Sequence, residues 1–75
     1  MDVYNHTQSS PNSTWTVTHN LNTDAVAVDV FIDYLGNLEK ILPLDIVVTD
    51  SNTLTITFTT SQTGKARIIG TTNAI

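Results

Sequence analysis

Polar and apolar residues alternate along most of this chain. Thr14-Trp15-Thr16-Val17-Thr18 does so without a break, as does Thr53-Leu54-Thr55-Ile56-Thr57-Phe58-Thr59. Side chains on a strand point to opposite faces in turn, so Trp15 and Val17 share one face, and Leu54, Ile56 and Phe58 share another. A helix would scatter these residues around its axis, so both segments are predicted strands. Residues 25–33 form a longer predicted strand with two unlike rows. Val26, Val28, Val30 and Ile32 make an unbroken apolar row that should face the core. Ala25, Ala27, Asp29, Phe31 and Asp33 make a small, mixed row. Phe31 on that outer row fits either a second buried face or a contact between subunits, and the pattern does not choose between them.

Turn residues separate the strands. Tyr34-Leu35-Gly36-Asn37 is a turn signal, with Gly and Asn suited to positive φ. Residues 38–42 return as a short strand ended by Pro43, which lacks a ladder donor and belongs at an edge or corner. Residues 46–49 and the Thr-rich strand flank Asp50-Ser51-Asn52 and read as a hairpin. Ser61-Gln62-Thr63-Gly64 is read as a further turn, and residues 65–69 as the last strand. The pattern predicts an all-β chain: a small antiparallel β-sandwich or barrel of about six to seven short strands. Residues 1–75 form a single domain, with residues 1–12 and 70–75 expected to extend onto neighbours.

Length sharpens this picture. A chain of 75 residues buries only about 60% of its unfolded surface, which leaves a marginal core. There is no cysteine, so neither disulfides nor thiolate-held metals reinforce it. Self-association or docking on a larger body is therefore expected. Threonine is the compositional outlier, with 14 residues beside seven asparagines. A Thr- and Asn-rich surface is neutral, stiff and hydrogen-bonding, as suits a wet sheet face.

Net charge is −4, and Lys40, Lys65 and Arg67 are the only basic residues. Nucleic-acid binding needs several cations to displace phosphate counterions, so none is expected. No apolar run approaches the roughly 18 residues of a membrane span, and the first ten residues lack the basic start and apolar stretch of a secretion signal. No membrane partner is expected.

Candidate chemistry is sparse. His6 and His19 are the only imidazoles, and Asp2 and Asp24 the nearest acids to join them; one chain offers no three- or four-ligand set. Three copies around a threefold axis would be needed to gather enough histidines. His19, at the end of the Trp15/Val17 strand, is read instead as a hydrogen-bond partner for a turn. No serine sits in a nucleophile turn, and no glycine-rich phosphate loop is present. Asp29 and Asp33 lie about 13 Å apart along one strand, beyond the roughly 5–9.5 Å of a glycosidase pair. The expectation is no enzyme, no cofactor and no metal. The candidate interface, with another subunit or a larger body, is Ala25, Ala27, Asp29 and Phe31, with Tyr4 and Tyr34 beside strands.

One resemblance adds to this reading. His6-Thr7-Gln8-Ser9-Ser10-Pro11 is followed by Trp15-Thr16-Val17-Thr18-His19-Asn20-Leu21, then a valine-rich strand, the turn at residues 50–53, and Gly64-Lys65-Ala66. From about Tyr4 to Gly70 the chain resembles a small β-module of tailed-bacteriophage virion proteins, most specifically over Trp15 to Leu21. It departs from that pattern at Asn22, where a glycine often follows His-Asn-Leu, and at Ala25, which replaces a frequent proline. Asn tolerates the left-handed conformation glycine would supply, so the turn should survive. The resemblance implies a non-enzymatic virion component, assembled in the host cytoplasm. With no shaft or anchoring segment in the sequence, a capsid decoration or cement protein is expected: an oligomer, in the simplest case a trimer, docked on the major capsid protein. The alternative is a tail-fibre or baseplate module that binds host-surface polysaccharide.

Overall fold

The computed structural model describes residues 2–70 and contains five strands: β1 (Asp2–Thr18), β2 (Val26–Tyr34), β3 (Asn37–Ile41), β4 (Asp45–Asp50) and β5 (Thr53–Gly70). The all-β expectation holds, and every pairing is antiparallel. β1 pairs with β5 along nearly its whole length. The other edge of β5 is shared, with β4 beside residues 53–57 and β2 beside residues 64–70; β3 then pairs with β2. The tail beyond Gly70 lies outside the described residues.

Five strands replace the expected six or seven because β1 and β5 each do the work of two. Ser61-Gln62-Thr63-Gly64, read as a turn, is instead a corner inside a continuous strand. Register slips there in both partners: Gln8 pairs with Gly64, Asn12 with Gln62, and Thr14 with Thr57. Extra residues on either side of such a ladder bend it sharply. Residues 2–8, expected to reach a neighbour, pair with β5 of their own chain.

The corner folds the β1–β5 ribbon back on itself, so two halves of one sheet face each other. Trp15 locks this arrangement. Its indole N–H lies 3.1 Å from both Asn12 O and Gln62 O, and donates into the corner on both strands. Its ring packs 4.6 Å from Phe58 in its own half and 5.9 Å from His6 in the other (centroid distances). The core joins Trp15, Val17, Leu54, Ile56 and Phe58 of the first half to Val30, Ala66 and Ile68 of the second. The alternating rows of the sequence supply six of them, and the last strand adds Ala66 and Ile68.

At the end opposite the corner, residues 19–25 cross from β1 to β2. The backbone N–H groups of His19 and Asn20 both donate to Asn52 O, and that of Thr23 donates to Ser51 O. His19 is buried, and its Nδ1 accepts the Leu21 N–H at 3.0 Å, the turn role predicted for it. Its Nε2 is buried with no hydrogen-bond partner among the described residues. Asn20 and Asn22 both adopt positive φ, the left-handed conformation expected at Asn22.

Candidate interaction surface

Alternation sends the odd residues of the second half outward. Across this face Asn5 of β1, Arg67 of β5 and Asp29 of β2 share one row; Thr7, Lys65, Phe31 and Lys40 share the next. Leu38 follows, opposite Asp33. Asn5, Thr7, Phe31, Leu38, Lys65 and Arg67 line a shallow depression of about 460 Å³ on this face.

All three cations of the chain stand on this face. They accompany two carboxylates, leaving one net positive charge, while the other five acids and no cation occupy the rest of the molecule. Lys40 Nζ lies 3.2 Å from Asp29 Oδ1, and Thr63 donates to Asp33 Oδ2 at 3.0 Å. Among the described residues Lys65 and Arg67 form no ion pair. An exposed pair such as Lys40–Asp29 adds at most about 1 kcal/mol. Its consequence is local: it occupies one carboxylate and one cation, and leaves Lys65 and Arg67 to set the field.

The six predicted interface residues do not form one surface. Ala27, Asp29 and Phe31 share the outward face as expected. Ala25 is exposed and precedes β2, with its N–H bonded to Thr23 Oγ1. Tyr4 is on the opposite side of β1 and packs against the core. Tyr34 is 54% exposed at the hairpin end. The register slip in β1 reverses its parity, so Tyr4 points inward, in register with Ile68 and Val28. Sequence reasoning missed Lys65 and Arg67; their spacing around Ala66 already placed them on one face, but not beside Phe31.

A second feature was also missed. Leu42 is 96% exposed and Leu44 68%, on either side of Pro43 in the crossing from β3 to β4. Leu44 N–H donates to Thr57 O at 2.9 Å, which ties this crossing to the sheet. Behind it lies a smaller hollow formed with Ile41, Phe58, Thr59 and Gln62. Among the described residues no group of three or more His, Asp or Glu could hold a metal ion. No family model, no curated protein and no solved structure matches this chain.

Proposed function

We propose that this chain is a non-enzymatic structural component of a tailed-bacteriophage virion, a decoration or cement protein that docks on the capsid shell as an oligomer. The observation that carries the reading is the wet apolar surface of a domain with little core to spare. Leu42 and Leu44 project together from one loop, on either side of Pro43. Apolar surface grouped in this way marks association sites, and burial between copies or against a shell stabilises a folded domain by mass action. The resemblance centred on Trp15 to Leu21 supplies the virion context. The major capsid protein is the expected docking partner.

Immunogold labelling of purified virions with antibody against this chain tests the reading. Gold distributed over heads, with loss of capsid stability when the protein is omitted, is the expected result. Unlabelled particles that also lack the chain by mass spectrometry overturn it. One observation favours a second reading, a tail-fibre or baseplate module for host polysaccharide: Phe31 lies in a depression flanked by Lys65 and Arg67, the elements that hold an acidic sugar. Gold confined to tails would select it.

A further inference from the structure

The loop at Leu42–Leu44 and the depression over Phe31 match in apolar character and in charge. The loop is a projecting apolar knob. Pro43 fixes one backbone angle, and the Leu44–Thr57 hydrogen bond anchors its base, so little ordering remains to be done on binding. Asp45 follows at once, exposed, and forms no ion pair among the described residues. The depression offers an apolar floor at Phe31 and Leu38, with Lys65 and Arg67 beside it. A knob carrying a carboxylate thus matches a hollow carrying two cations.

Within one chain the two cannot meet. The hollow opens on the outward face of the second half. The knob spans the crossing toward the first half, and the two sites share no lining residue. We infer that the Leu42–Asp45 knob of one copy seats in the Phe31/Leu38 hollow of the next, with Asp45 paired to Lys65 or Arg67. The charge distribution favours this head-to-tail contact over a face-to-face one. Two copies of the cation-bearing face would oppose each other, whereas every other surface of the chain carries acids alone. Contacts of this kind are heterologous, and close into a ring or continue as a filament. The inference rests on the proposed role as an oligomer, and names its contact.

The test uses the full chain and two exposed-site variants. Sedimentation velocity and native mass spectrometry should find the wild type at a multiple of its 8.2 kDa mass. Leu42→Ser/Leu44→Ser removes the knob, and Lys65→Glu/Arg67→Glu reverses the hollow. Each should weaken association roughly 10-fold or more, the loss expected from truncating an anchor, while circular dichroism remains that of the folded chain. An equimolar mixture should then form heterodimers alone, because one intact knob meets one intact hollow and the remaining sites are both defective. A monomeric wild type overturns the inference, as does an oligomer indifferent to both variants. So does saturable binding of an acidic polysaccharide to the hollow of a monomer. Capsid binding by a monomer would refute this contact and spare the proposed function; a knob-and-hollow ring that never binds virions would do the reverse.

Discussion

The two outward faces of the sheet are built on the same strands and differ in almost every other respect. On the first half, Thr14, Thr16 and Thr18 of β1 stand directly opposite Thr57, Thr55 and Thr53 of β5. Asp45 and Val47 of β4 complete two of these rows. On the second half the same two strands carry Asn5 and Thr7 against Arg67 and Lys65, with Asp29 and Phe31 of β2 beyond. The threonine pairs are stiff, uncharged and easily hydrated, with β-branched side chains that suit a pleated surface. The second face holds a half-buried aromatic ring under long cationic side chains, whose stems cover apolar surface while their heads stay in water. A sheet needs only the first kind of face to stay soluble. The second carries the apolar and cationic groups on which the proposed contact draws.

That contrast depends on a core shared by both halves, and Trp15 is where it breaks first. Trp15→Ala should cost about 3–5 kcal/mol and abolish cooperative unfolding in urea, since the ring touches both halves. A loss below about 1 kcal/mol would show that the halves do not depend on a common core. Gly64 comes next. It is paired on both sides, and a Cβ there would run into the backbone of Phe31 and Ile32. Gly64→Ala should cost about 3 kcal/mol, with hydrogen-exchange protection lowered more in β2, its neighbour, than in β4. Equal loss in β4 would mean that the two halves open as one unit.

Smaller changes sharpen the comparison of the faces. Phe31→Ala should destabilise by about 1 kcal/mol, consistent with half burial of an aromatic side chain. Thr16→Ala on the exposed threonine row should stay within about 0.5 kcal/mol of wild type. Thermal unfolding at one fixed protein concentration reads both; equal losses would erase the distinction drawn here. Leu35 is an internal control, on neither face. It takes φ 52 at the β2–β3 turn, ahead of Gly36 at φ 86. Both central residues are thus left-handed, the geometry that Asn-Gly prefers. The sequence reading assigned positive φ to Gly36 and Asn37; Gly36 takes it, but its partner is Leu35 rather than Asn37. Leu35→Asn should therefore stabilise by about 1 kcal/mol, unless its 84% exposed side chain is covered in an assembly.

The alternation of polar and apolar residues by itself determined the strands, their inward rows and the buried state of Trp15. It did so because each strand residue chooses between only two faces, and burial of one row fixes the other. The hairpin at Asp50–Asn52 and the turn role of His19 followed from equally local chemistry. Tertiary structure alone decided that β1 and β5 run through a corner, since Ser9-Ser10-Pro11-Asn12-Ser13 and Ser61-Gln62-Thr63-Gly64 look like ordinary turn formers until their partners are known. It alone brought Lys65 and Arg67 beside Phe31, turned Tyr4 toward the core, and left Leu42 in solvent. Periodicity specifies which way a side chain points, but register and folding of the sheet specify what it meets, and those depend on contacts between residues far apart in the chain.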